Sequence, residues 1–262
     1  MCQCACQVVG RRETPESDSY TTNASAGRLE MISLSTILEF ALIPKEPMYT
    51  PNTFEINDQN EICGFIRQYS FATLFSWKPE PEVTHLPLLL NETADGLTLT
   101  GHLAKANHHW KSADSNEVLV VFQGPHAYIS PTWYGEGPAV PTWNYSVVHA
   151  RGQFKVIDDL AANQQVLQRY VTEFESNHVH SHSRHSPKPW TTDGQSDEFL
   201  ESLAQAVVSF SIQIESLTAK WKLSQNQTAE RQQSVIAGLR ARNSSQDVEV
   251  AQMMQKTQSV PE

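Results

Sequence analysis

Trp143-Asn144-Tyr145-Ser146-Val147-Val148-His149-Ala150-Arg151-Gly152-Gln153-Phe154-Lys155-Val156-Ile157 is the stretch on which the fold reading turns. Its aromatic and β-branched content is that of one long strand. Working back along the chain, Ala127 to Ser130, Glu117 to Gln123, Leu97 to Leu103, Val83 to Leu90 and Phe71 to Ser76 read as further strands separated by turn residues. Several short strands at this spacing predict an antiparallel barrel or sandwich. The chain has no Gly-x-Gly-x-x-Gly and no P-loop, so neither nucleotide-binding fold with those loops is supported.

Helices flank the strands. Asp58 is placed as an N-cap with Glu61 at the capping-box spacing, and Ile62, Phe65, Ile66 and Tyr69 recur at helical intervals. Asn107 to Ala113 reads as a short helix. Asp158 or Asp159 caps another that runs to about Glu175, with Leu160, Val166, Leu167, Tyr170, Val171 and Phe174 mostly on one face. Ser196 starts a fourth. Ala206 to Ser216 then alternates as a strand, with Val208, Phe210, Ile212 and Ile214 opposite Ser209, Ser211, Gln213 and Glu215. From Thr228 onward the chain is helical and increasingly charged. The expected organisation is an extension over 1–47, the first part of the barrel over 48–176, a polar histidine-rich loop over 177–195, and the final strand and C-terminal helices over 196–262.

Hydrophobic residues make up 39% of the chain, below the ~45–50% of globular domains, and the shortfall lies in the polar ends and loop. The middle can therefore bury a core. The net charge of −10 repels phosphate, which disfavours broad electrostatic binding of nucleic acid. Lys220, Lys222, Arg231, Arg240 and Arg242 form the densest run of positive charge and read as a solvated helix face. The longest apolar run, Met31 to Ile43, contains Ser33, Ser35, Thr36 and Glu39 and falls short of the ~18 residues of a membrane span. It also sits too far along the chain, behind Arg11 and Arg12, for a secretory signal, so the expected location is the cytosol.

Four cysteines supply no disulfide framework. Cys2, Cys4 and Cys6 offer too few fixed ligands for structural zinc, and Cys63 reads as a small buried hydrophobe. His178, His180, His182 and His185 alternate in a Ser/Pro-rich loop without a supporting carboxylate, which favours a solvated loop over a metal site. Nothing points to hydrolysis, because no Gly-x-Ser-x-Gly occurs. No catalytic residue is assigned.

The segment Gly101-His102-Leu103-Ala104-Lys105-Ala106-Asn107-His108-His109-Trp110 is more informative. It sets a histidine, a lysine and an asparagine between a strand end and a helix start, where amides and a lysine favour an anion. The plainer reading is a capped turn with Asn107 as N-cap, Lys105 solvated and Trp110 in the core. Downstream, Tyr128, Trp133, Tyr134, Trp143 and Tyr145 supply either core, interface or flat walls for a planar ligand.

Taken in order, several blocks resemble the PaiB family of FMN-binding negative transcriptional regulators, which are related to the flavin-binding split barrels. They are Met48-Tyr49-Thr50-Pro51, Ala72-Thr73-Leu74, Thr84-His85-Leu86-Pro87 and the Gly101–Trp110 segment. Phe122 to Tyr134, Val140 to Tyr145, Val148 to Gly152 and Ile214 to Asn226 complete them. The resemblance covers about residues 48–255. It departs from the family at His108, where proline is usual, and in the extension and the histidine-rich loop.

The resemblance implies a mainly antiparallel β fold with flanking helices, the FMN-binding split barrel. It further implies a homodimer with FMN in clefts between subunits. By the same analogy the phosphate lies near Thr84, His85, His102, Lys105 and Asn107, and the ring near Trp143, Asn144 and Tyr145 with Trp110 behind it. It implies a repressor that acts on DNA directly or through a regulatory partner, binding flavin without turnover. Direct DNA contact is the weak link, since no helix-turn-helix is evident. Two alternatives use the same barrel: an FMN-dependent oxidoreductase, or haem bound through His85, His102 or His149.

Overall fold

The computed structural model describes residues 48–179 and 189–258. The extension over 1–47, with its three cysteines and the Met31–Ile43 run, lies outside these residues, as do His180, His182 and His185. No helix among the described residues is long and apolar enough to cross a membrane.

Among the described residues eight antiparallel strands form one sheet: β1 (Glu55–Ile56), β2 (Phe71–Ser76), β3 (Glu82–Pro87), β4 (Leu89–Thr93), β5 (Gly96–Ala104), β6 (Glu117–Ile129), β7 (Thr142–Val156) and β8 (Val207–Lys222). The order β3-β2-β6-β7-β8-β5-β4 puts β3 and β4 at opposite ends of the path. Yet only Leu88 separates them in sequence. The two ends must therefore meet, and the sheet curls into a barrel. Leu88 is buried at this corner, and its amide is tied to the Ser70 carbonyl at 2.9 Å. On its second edge β8 pairs with β5 over 207–213 and with β1 at 219–220, leaving 214–218 between them unpaired on that side. This is the expected split-barrel class.

Among the described residues six α-helices flank the sheet: α1 (Gln59–Gln68), α2 (His109–Ala113), α3 (Leu160–Val179), α4 (Asp197–Gln205), α5 (Ala229–Arg242) and α6 (Ser245–Gln258). Asp58 caps α1 by accepting from the Glu61 amide at 2.9 Å, as its spacing predicts. The Glu61 carboxylate does not reach back, because it accepts from Trp221 Nε1 instead. Asp159 caps α3, Ser196 caps α4 and Thr228 caps α5. Helix α3 continues to Val179, past its predicted end.

Alternation along the strands turns Leu74, Val120, Phe122, Val148, Phe154, Phe210 and Ile212 into one core, which Ile66 of α1, Ile236 of α5 and Met254 of α6 also enter. Cys63 is buried beside them as a free thiol. The two short strands read at 117–123 and 127–130 are one strand, β6, with an irregular register between Gln123 and His126. Gly124-Pro125 looks like a strand end in sequence. In the sheet it is a bulge, where a missing N–H is tolerated.

The basic C-terminal residues are not one solvated helix face. Lys220 and Lys222 lie on β8, and Lys220 is buried. On α5, Arg231 and Arg242 lie against the rings of Tyr134 and Trp133, and Arg242 also pairs with Asp247.

Asp247 is 2% exposed and takes both prongs of the Arg242 guanidinium and the Ser244 amide. The guanidinium hydrogen bonds lower its carboxyl pKa to about 2. A depressed folded-state pKa makes the stabilisation complete above the ordinary carboxylate range, and it is lost as pH falls toward 2. Asp247→Asn is expected to cost about 1–2 kcal/mol at pH 7, discounted because Arg242 is partly solvated. Urea melts of both proteins should converge near pH 2; a constant gap down to that pH would detach the effect from ionisation.

Candidate functional site

Since the core takes every second residue of β2, β3, β6, β7 and β8, the other set faces outward. Cross-strand pairing aligns these outward residues in rows. One row reads His85, Thr73, Val121, His149, Thr218; the next reads Val83, Phe75, Leu119, Arg151, Ser216. Toward the other end of the strands lie Phe71, Val147, Tyr145, Tyr128 and Trp143. Phe71 is 66%, Trp143 53% and Val83 51% exposed. Large apolar side chains this open on a single sheet face mark a surface that something covers.

The polar groups on this face are few and held. His85 Nδ1 lies 3.0 Å from Thr73 Oγ1. Burial and the Arg151 charge lower the pKa of His149, which keeps it neutral. Lys220 donates to the Tyr49 carbonyl at 2.9 Å and sits over the rings of Tyr49 and Tyr145 at 5.3 and 5.6 Å. Sequence reasoning missed Thr73, Val121, Thr218 and Lys220 as members of this surface. Period-two alternation of Trp143, Tyr145, Val147, His149 and Arg151 carried the signal for β7.

At the β3 edge the predicted junction is assembled. Thr84 turns inward, with its hydroxyl 2.8 Å from His109 Nδ1 and accepting from Asn107 Nδ2 at 3.3 Å. His109 Nε2 lies 2.9 Å from Ser76 Oγ, and burial lowers its pKa. Asn107 Oδ1 accepts the His109 amide, so that amide is already spent on the protein. Lys105 is exposed, and Trp110 Nε1 donates to its carbonyl at 3.2 Å. Thr84, His85, Lys105, Asn107 and Trp110 thus share one edge of the barrel.

The remaining predicted residues are distributed differently. Trp143 and Tyr145 face outward and Trp143 meets Tyr128 edge-on at 5.9 Å. Asn144 turns inward, is buried, and bonds Ser224 at 3.0 Å. His102 lies on β5, edge-on to Tyr170 at 4.7 Å, at the wall of a cavity of about 870 Å³ under α3 and α4. Its Nδ1 is buried without a hydrogen-bond partner and burial lowers its pKa.

That cavity is large enough for a cofactor. However, it is lined by Asp197 and Glu201 and by no lysine or arginine, the wrong sign for a phosphate. The outer face and the β3 edge, with Lys105, Lys220, hydroxyls, imidazoles and flat rings, have the donor set that a flavin phosphate and ring need.

The family described as "Putative FMN-binding domain" matches residues 48–216. Protease synthase and sporulation protein PAI 2 of Bacillus subtilis is 34% identical over 212 residues, covering 79% of this chain and 97% of its own length. An uncharacterized protein of Emericella nidulans is 30% identical over 190 residues, covering 61% of this chain and 75% of its own. Among solved structures, the flavocytochrome Anf3 from Azotobacter vinelandii superposes with a TM-score of 0.46 at 15% identity, over 64% of this chain and 69% of that one.

Proposed function

Since the chain belongs to the FMN-binding PaiB family, we propose that it is a homodimeric flavin-binding regulator that lowers transcription through a partner. The observation that carries this reading is the exposed apolar sheet face with its embedded row of His85, Thr73, Val121 and His149. An apolar face of this kind can bury itself against a second copy about a two-fold axis, the usual symmetry of dimers.

A dimer also answers a question of reach. Within one chain His85 lies three strand spacings from β7, about 14 Å, and Tyr145 is a further ~13 Å along that strand. One flavin on one chain could touch both only by lying diagonally. A second copy across the axis brings the phosphate end of one chain near the aromatic end of the other.

In this reading Lys105 and His85 meet the phosphate while Thr84 and Asn107 hold the junction in place. Trp143 and Tyr145 supply flat walls. FMN supplies a redox-active ring system when bound. Regulation through a partner rather than by DNA contact follows from the net charge of −10 and from the lack of a free basic stripe on α5. The name of the Bacillus relative, which refers to protease synthase and sporulation, is consistent with a regulatory role.

The test is an absorbance spectrum of the purified protein after incubation with FMN and desalting. Retained bands near about 370 and 450 nm are expected, as for a bound oxidised flavin. A spectrum without them at saturating FMN would remove the cofactor. Lys105→Ala should weaken FMN binding by roughly 1–3 kcal/mol, the worth of a charge-assisted hydrogen bond. Equal affinity by fluorescence titration would take Lys105 out of the site.

A further inference from the structure

A second cavity, of about 390 Å³, opens between the 134–142 segment, the end of β8 and the start of α5. Two cations line it. Lys222 Nζ donates to Thr142 Oγ1 and to the Trp143 carbonyl. Arg231 donates to the Glu136 carbonyl at 2.9 Å and to Gln227 Oε1 at 3.3 Å, with its guanidinium 5.8 Å from the Tyr134 ring. All of these acceptors are neutral. No carboxylate lines the cavity, and among the described residues neither cation is in an ion pair.

That arrangement costs free energy. With 29 acidic residues against 19 basic ones, surplus carboxylates are abundant on this chain, yet none is placed here. Two half-buried positive charges lining one cavity with no carboxylate in its walls favour a counter-charge there. Burial and the neighbouring Lys220 both lower the pKa of Lys222, so positive charge is already crowded at this end of β8.

The walls are also built for the purpose. Ser224 is 4% exposed and holds φ +66°, a strained value for a residue with a side chain. It is held there by Asn144 through hydrogen bonds of 3.0 and 3.2 Å. Gly137 has φ +97°, and a Cβ on it would come within 2.9 Å of Arg231 Nη2. The loop is thus shaped around the guanidinium, and only glycine fits there without strain.

We propose that this cavity binds a small organic phosphate monoester. Its two negative charges match the two cations, and the planar guanidinium fork suits phosphate oxygens. Asn226 and Gln227 add amide donors, while Pro138 to Val140 offer an apolar wall to the organic part. Asn144 and Ser224 close the inner side of the cavity, while Lys222 leaves β8 on the same face as its cross-strand partner Tyr145. The cavity thus sits at the end of the β7–β8 pair beside the aromatic end of the flavin face, and competition with FMN separates the two sites.

The probe is phenyl phosphate, titrated by calorimetry at low salt into the full chain with and without saturating FMN. One saturable site per chain is expected in both conditions. Lys222→Gln and Arg231→Gln should each weaken it about tenfold or more, as for loss of a charge-assisted bond, and Arg231→Gln, whose partners are Glu136, Gln227 and Tyr134, should leave FMN affinity unchanged. Absence of saturable binding, or equal affinity in both variants, would overturn the proposal. Mutual displacement of FMN and phenyl phosphate would do so as well, by assigning these cations to the flavin.

Discussion

Val121→Glu should produce a folded monomer that no longer retains FMN. Val121 lies in the middle of the outward row, between Thr73 and His149, and is only half-buried in the single chain. A glutamate there can stay in water while the chain is alone, so the barrel should keep its melting temperature within a few degrees. In a symmetric dimer the same side chain is buried twice. Arg151 in the next row already holds Glu117, and His149 is kept neutral, so neither is a ready partner. Burying an unpaired carboxylate costs several kcal/mol. About 4 kcal/mol raises the dimer dissociation constant roughly a thousandfold. Sedimentation velocity should therefore show a dimer for the parent protein and a monomer for the variant at micromolar concentration. A variant that stays dimeric and yellow would place the interface on another face and leave the row of histidines without its proposed role.

The parts of this surface that could be read from sequence are those that depend only on local pattern. Phe71 to Ser76 has the aromatic and β-branched content of a strand and pairs as β2, and Asp58 caps α1 because a carboxylate two bonds from the backbone reaches the N3 amide. Barrel closure was not legible. Val83 to Leu90 reads as one strand, and the bend at Leu88 that sends its two halves to opposite ends of the sheet depends on which edges they find. The fate of Lys220 was hidden for a related reason. The alternation from Val208 to Ile214 loses its phase at Glu215, where β8 slips by one residue against Gly152 of β7. Beyond that slip the side chains change faces, and β1, about 160 residues earlier in the chain, pairs along the edge of the strand. No local window contains that information.

The same applies to the candidate site. The Gly101–Trp110 segment announces a strand-to-helix junction, and the junction forms. Its direction could not be read: His102 points away under α3, toward a helix some 60 residues later in the chain, whereas Asn107 points to Thr84. Asn144 and Tyr145 are neighbours in sequence and lie on opposite faces of one strand, so a list drawn by proximity along the chain merges two environments. The two halves of the predicted site lie far apart on one chain, and in the proposed reading a second copy brings them to one ligand. That is why the oligomeric state and the cofactor stand or fall together.

The register slip also sets the largest expected effect on stability, that of Gly152→Ala. A Cβ at this position would lie 2.0 Å from the Gln213 carbonyl oxygen, 2.8 Å from its carbon and 3.1 Å from Ile212 Cγ2. The obstacle is backbone, so no rotamer change relieves it. Nor can β8 retreat, because over residues 207–213 it is bonded to β5 on its other edge. Ile212 and Phe154, both fully buried beside the slip, would have to move with it. Substitutions that force a packed core to shift in this way belong to the tail of destabilisation beyond about 4 kcal/mol, a large part of the stability of an ordinary domain. The expected outcome is an insoluble or largely unfolded protein, read by circular dichroism and urea denaturation. Gly64 supplies the contrast. It lies on the exposed side of α1, and a methyl group added there would meet nothing within 4 Å, so Gly64→Ala should stabilise by roughly 0.5–1 kcal/mol through helix propensity alone. Should Gly152→Ala instead melt like the parent protein, β7 and β8 would have another register available. The outward row, which depends on this one, would then have to be redrawn.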